Sequence, residues 1–403
     1  MTQSISANTD RISQLDILRG AALLGILIMN MISFGLPGSH YFNPLAEGSL
    51  GAVDHLAFLF SEVFANEKFM GLFSVLFGAG VVLFTERIES KGMSAALWHY
   101  RRNLWLFVFG MAHAYLLWSG DILVTYAICS VWLFFFRHWS VRNLLIAAGI
   151  CLGLMMLTNL FFGYSIPYWT PEEVNELRSF WSPDIAYIAQ EMSAYRGSWV
   201  EQMAERIPGS MAVQTTLMPF VAPRATGMML LGMALYKTGA LTGKRDRQWN
   251  GRVAIIGLGL GTFISAYGVW LNEQANWTVE YSFFTGSQFR TLGMIPLVLG
   301  YIGTLLWLCE GRAGKWMERR LAPVGRMAMT NYLMQTVLAT TVMYGHGLGW
   351  FNTMGRAQLW GIILPIWLLQ IFWSKWWMDR FRFGPFEWLW RTATYWKAQP
   401  MRS

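Results

Sequence analysis

Charged side chains are scarce in this 403-residue chain: Asp, Glu, Lys and Arg make up 13% of it, against 54% hydrophobic and 16% aromatic residues. A water-soluble protein of this length carries about twice that share of charge, so an ordinary soluble enzyme is excluded. Cysteine is also sparse. Cys129, Cys151 and Cys309 lie inside apolar runs, with no Cys-x-x-Cys spacing and no histidine four residues away, so neither a disulfide framework nor any metal site is expected. The period-two alternation of a membrane barrel is missing. So is a cleavage site between the polar residues 1–14 and the first apolar run, which points to an uncleaved first helix rather than a signal peptide.

What the sequence does contain is apolar runs of about twenty residues, each long enough as a helix to cross a hydrocarbon core of roughly 30 Å. Lipid offers backbone groups no partner, so these runs must be helical. The expected fold class is all-α, a polytopic helical membrane protein with a lipid bilayer as its partner. Ten spans can be drawn, at 15–34, 67–86, 104–119, 121–136, 142–162, 217–236, 252–271, 289–309, 326–345 and 357–374. A further apolar stretch, 52–64, is too short to cross and reads as re-entrant, interfacial or an extension of the second span.

The net charge of +8 is explained by position rather than by nucleic acid. Of the Lys and Arg residues, 24 fall on one side of the ten spans, Arg11 and Arg19 among them, and seven on the other. This alternation places both termini in the cytoplasm. The long outer connection, 163–216, has seven acids against three arginines and reads as a lid or a solvated acidic loop. Within it 172–180 and 185–206 can form helices, the first with Thr170 as N-cap, Pro171 following and Glu173 completing a capping box. The expected organisation is 1–162, the outer loop 163–216, and 217–403 with a basic, Trp-rich tail.

Ionisable groups inside spans are costly to desolvate, so they are the informative ones. His113, near the outer end of the third span, is followed by the tight Ser119-Gly120 turn and by Asp121 at the start of the fourth. That turn makes the two helices antiparallel neighbours, so a carboxylate could orient an imidazole as a general base. The bland alternative is that His113 bonds a neighbouring helix and Asp121 caps its own. Lys68, Arg224 and Arg290 near outer span ends could together hold an anionic group or snorkel to headgroups. Pro219 and Pro223 suggest a helix broken at Arg224. Asn331 and Gln335, four apart in the ninth span, line a polar pocket or bond another helix. His40, Asp54 and His55, after the first span, are secondary candidates. Asp16 and Arg19 read as a self-neutralising pair, and Gly257, Gly259 and Gly261 as helix packing rather than nucleotide binding. Trp373, Trp376, Trp377, Trp388, Trp390 and Trp396 read as an interfacial belt.

Several segments in order, LDILRGAALLGILIMNMISFG at 15–35, KFMGLFSVLFGAG at 68–80, HAYLLWSGDIL at 113–123, GRMAMTNYLMQ at 325–335 and FRFGPFEWLW at 381–390, resemble the YeiB family of bacterial inner-membrane proteins. That family's N-terminal half is similar to the transmembrane acyltransferase superfamily, which includes heparan-alpha-glucosaminide N-acetyltransferase. The resemblance implies an acyltransferase-like region over 1–162, a multi-pass inner-membrane location, cytosolic acyl-CoA as donor, and a small-molecule or glycan acceptor on the outer side. It also implies a membrane-embedded histidine near the reaction centre, which His113 and the Gly120–Leu123 segment match. In the heparan enzyme the working histidine lies in the loop after the first span, where this chain has His40 and His55. The alternative function is a transporter of a small anionic or amphipathic solute, with Arg224, Arg290 and Lys68 as its clamp. The oligomeric state, including a homo-oligomer, is open.

Overall fold

The computed structural model describes residues 12–402; Arg11 lies outside them. The protein is all-helical, with no strand among the described residues. Its main helices are α1 (Ser13–Gly35), α2 (Ala52–Phe64), α3 (Lys68–Glu89), α4 (Ala95–Leu116), α5 (Leu123–Phe136) and α6 (Val141–Ser165). The connection after α6 carries α7 (Pro171–Trp181), α8 (Ile185–Arg196) and α9 (Met203–Ala212). Then follow α10 (Met218–Lys237), α11 (Arg247–Gln274), α12 (Gln288–Cys309), α13 (Gly314–Arg326), α14 (Ala328–Met343), α15 (Trp360–Met378) and α16 (Pro385–Tyr395).

Every segment drawn as a span coincides with a helix. Among the described residues six stretches are long and apolar enough to cross a membrane: Ser13–Gly35, Ala52–Glu89, Val141–Tyr168, Met203–Lys237, Arg247–Gln274 and Val279–Cys309. The others are shorter or less apolar; α14, for example, has 16 residues, about 24 Å of helix. Large apolar side chains such as Ile150, Leu157, Phe263, Leu364 and Phe372 are exposed along helix faces, as expected of a multi-pass protein whose outer faces meet lipid.

Short polar signals fix the helix starts. Ser94, Ser140, Asp184 and Asp246 each accept the backbone N–H three residues on, and Thr170 with Glu173 forms the expected capping box. Glycines set the closest crossings. A Cβ on Gly78 would overlap the Met229 backbone of α10, and one on Gly232 the Val75 backbone of α3. Gly257 and Gly261 pack the same way against α12, whereas Gly259 faces open space. Asp16 and Arg19 pair at 3.3 Å.

Residues 52–64 form α2, which a three-residue break with Glu67 at φ 67° separates from α3; together they make the one apolar stretch Ala52–Glu89, in keeping with an extension of the second span. Two expectations need correction. The helix expected over 185–206 stops at Arg196, and α9 instead runs into α10 through a π-helical turn at Val213–Leu217. The helix is therefore not broken at Arg224. Five residues of widened winding precede Pro219, and Pro223 is accommodated within α10, so the two missing N–H donors are absorbed without a stop.

Candidate functional site

The site is built on the turn that joins α4 to α5. The His113 carbonyl accepts the backbone N–H groups of Leu117 and Trp118, both at 2.9 Å, which ends the helix and puts His113 in its last turn. Gly120 is required because a Cβ there would overlap the Trp118 ring. Asp121 lies in the turn, two residues ahead of α5, and one carboxylate oxygen accepts the Val124 N–H at 2.8 Å. The other oxygen is left 2.7 Å from His113 Nδ1. The two side chains are 1% and 2% exposed.

The third member comes from α14. Thr336 Oγ1 lies 2.9 Å from His113 Nε2. With the carboxylate as acceptor and a neutral ring, Nδ1 is the nitrogen that carries the proton, and Nε2 then accepts from the Thr336 hydroxyl. One turn earlier, the Tyr332 ring is 5.1 Å from the imidazole, and its hydroxyl oxygen accepts the Ile122 N–H at 3.3 Å. Hydroxyl, imidazole and carboxylate in this order form a relay that can take a proton from an attacking hydroxyl and return it to a leaving group. The sequence reading named His113 and Asp121 but missed Thr336 and Tyr332. The available signal was their spacing of four, which puts them on one face of the ninth segment.

The connection after α6 covers this site. Ser210 Oγ donates to the Ala114 carbonyl at 2.8 Å. The buried Arg206 and Trp199 Nε1 donate to the Leu116 carbonyl at 3.0 and 2.9 Å. These bonds satisfy carbonyls that the end of α4 leaves unpaired, and the arginine's positive charge suits a helix C-terminus.

Lys68, Arg224 and Arg290 do converge, but around two carboxylates. Glu67 pairs with Arg224 and accepts Thr291 Oγ1 at 3.1 Å. Glu62, which the sequence reading missed, faces Arg290 Nε at 3.1 Å and accepts Asn66 Nδ2 at 2.7 Å. Lys68, fully buried, donates to the Glu62 carbonyl at 2.8 Å. The three cations are thus already engaged, and an anionic ligand would have to compete with carboxylates held in place.

Asn331 and Gln335 form a third cluster. Asn331 Nδ2 donates to the Val324 carbonyl and Ser374 Oγ, and its Oδ1 accepts Trp373 Nε1 at 2.6 Å. Gln335 Nε2 donates to the Leu23 carbonyl and Gln370 Oε1. Both amide nitrogens have spent their two N–H groups on neighbouring helices, the bonding to another helix that was one of the two expected alternatives, while Gln335 Oε1 has no partner among the described residues. His40 pairs with Glu47 at 3.1 Å, His55 with Glu273 at 2.9 Å, and Asp54 accepts the Ala357 N–H. None of these three contacts involves the His113 site.

Residues 235–397 match the family model described as a protein of unknown function, DUF418. The chain is 31% identical over 395 residues to the uncharacterized protein YeiB of Escherichia coli (strain K12), covering 96% of this chain and 97% of that protein. It is 31% identical over 416 residues to the uncharacterized protein YxaH of Bacillus subtilis (strain 168), covering 97% and 96%. An uncharacterized 39.9 kDa protein in the amylase 3' region of Bacillus acidopullulyticus is 26% identical over 394 residues.

Proposed function

The chain belongs to the YeiB family, and from its site we propose that it is an inner-membrane acyltransferase, moving an acyl group from cytosolic acyl-CoA to a hydroxyl or amine acceptor on the outer side. The observation that carries this reading is the relay of Asp121, His113 and Thr336, with Nδ1 to carboxylate at 2.7 Å and Nε2 to hydroxyl at 2.9 Å. Asp121 holds the tautomer in which Nε2 is the free base. His113 takes the proton of an attacking hydroxyl and passes it to the departing thiol, while Tyr332 stands beside the imidazole as a polar donor. The bonds from α9 to α4 close the site to water, so entry of either substrate requires that cover to shift.

The second reading, transport of a small anionic or amphipathic solute, rests on the buried cluster of Glu62, Glu67, Lys68, Arg224 and Arg290. Each of its cations already meets an acceptor inside the cluster, Arg224 at Glu67, Arg290 at Glu62 and Lys68 at the Glu62 carbonyl, which favours a structural ion network over a solute clamp.

The test uses inside-out membrane vesicles containing the protein and a panel of acyl-CoAs with labelled acyl groups. Label should appear in a glycan, lipid or small-molecule product with wild-type protein and be absent with His113→Ala at equal protein level. Labelling that persists with His113→Ala removes the histidine from the chemistry. Acyl-CoA-independent flux of a solute, with no labelled product, supports transport instead.

A further inference from the structure

Building on the acyltransferase reading, we propose that Thr336 is itself the first acyl acceptor, so that the reaction passes through an acyl-threonine ester on α14. Thr336 is fully buried, and its hydroxyl points at His113 rather than at its own helix. That orientation is distinctive. Threonines in helices commonly turn the hydroxyl back to a carbonyl three or four residues earlier, and both Thr340 and Thr341 do so, to the Val337 carbonyl. With Nδ1–H donated to Asp121, the Thr336 hydroxyl is the group whose proton lies on the path of the base. It therefore occupies the position of an activated nucleophile.

Tyr332 supplies an independent observation. Its oxygen accepts the Ile122 N–H, and its own O–H finds no acceptor among the described residues. A buried phenolic donor with an unspent proton, one turn from Thr336 and beside the imidazole, is suited to the negative charge that develops on a thioester oxygen under attack.

The step balances without any redox partner. Thr336 Oγ1 forms a bond to the thioester carbonyl carbon as its proton moves to His113 Nε2. The carbon–sulfur bond breaks, its electron pair leaves on sulfur, and Nε2 returns the proton to give the free CoA thiol. An acceptor hydroxyl or amine then attacks the threonine ester in the same manner, and Thr336 recovers its proton. Exclusion of water by the α9 cover protects the ester between the two halves.

The test is isotope exchange in the absence of acceptor. Purified protein in lipid nanodiscs is incubated with acetyl-, butyryl- or palmitoyl-CoA and labelled free CoA, and label entering acyl-CoA is followed. Wild-type protein should exchange. Thr336→Val should lower the rate at least about a hundredfold, since a nucleophile is removed at constant volume, and Thr336→Ser should restore it. Acid-quenched wild-type protein should yield a Thr336-containing peptide heavier by the acyl group. CoA release with added membrane extract but no exchange, or exchange that survives Thr336→Val, overturns the acyl-threonine while leaving acyl transfer standing. No CoA release from the wild type under any of these conditions overturns the acyl-transfer reading as well.

Discussion

Asp121→Asn isolates the electronic role of the carboxylate from its role as a structural anchor. In the wild type one oxygen accepts the Val124 N–H and the other accepts His113 Nδ1–H. An asparagine has one acceptor and one donor. If its oxygen keeps Val124, the amide N–H₂ faces Nδ1, which must then give up its proton and become an acceptor. The imidazole proton moves to Nε2, and Thr336 changes from donor to acceptor. If the amide turns the other way, two N–H groups oppose each other at Val124, at a cost of about 1–3 kcal/mol for a buried unpaired donor. The first arrangement wins, the fold survives, and the base is lost. Amide replacement of a triad carboxylate lowers turnover by on the order of 10⁴-fold through the same change of tautomer. The assay is nitrogen NMR of histidine-labelled protein in nanodiscs, with His113→Ala to assign the signal, beside CoA release on the same samples. Nε2 should move from the unprotonated to the protonated range while release falls by that factor. An unchanged Nε2 signal, or release within about threefold of wild type, refutes the account of the relay.

Glu67→Gln leaves Arg224 without its carboxylate in a poorly accessible site, and should cost about 3–5 kcal/mol; thermal unfolding in nanodiscs reads this, and adding Arg224→Met should recover most of it. Gly78→Ala forces a Cβ against the Met229 backbone where no flexible side chain can yield, so the α3–α10 crossing should open at a cost of at least about 1–3 kcal/mol. Gly259→Ala, facing open space, should be neutral or stabilising by the same measurement. Glu191, on α8, accepts the Gly38 N–H, and burial, with Glu205 and Glu47 adding repulsion, pushes its carboxyl up to about 7 from 4.5. A raised folded-state value means that the stability it contributes is complete below 4.5 and is lost as pH rises to about 7. The unfolding temperature should therefore fall across that window by more in wild type than in Glu191→Gln.

The fold class was legible because lipid leaves one solution for long apolar runs, and each run became a helix. The capping box at Thr170 and Glu173 was legible for the same kind of reason, since both partners lie within one turn. Asp121 and His113 could be paired because a short connection, residues 117–122, brings their helices together. Thr336 could not, as it reaches His113 from 223 residues away, a separation that no local pattern encodes. Glu62 was hidden within an apolar segment too short to be read as a span. The break expected at Arg224 failed because a π turn five residues long takes up the prolines, a compensation set by packing. Asn331 and Gln335 were recognised as deep polar groups that line a pocket or bond another helix, but their partners Ser374, Trp373 and Gln370 belong to the next helix, so the local pattern could not name them.

The most direct measurement of the central claim is CoA release by purified wild-type protein in nanodiscs, with an acyl-CoA panel and a membrane extract as the source of acceptor, run beside His113→Ala of matched thermal stability. The account predicts thiol release from at least one acyl-CoA with wild type and release at the background rate with His113→Ala. Equal release by the two proteins, or none by wild type across the panel, contradicts it.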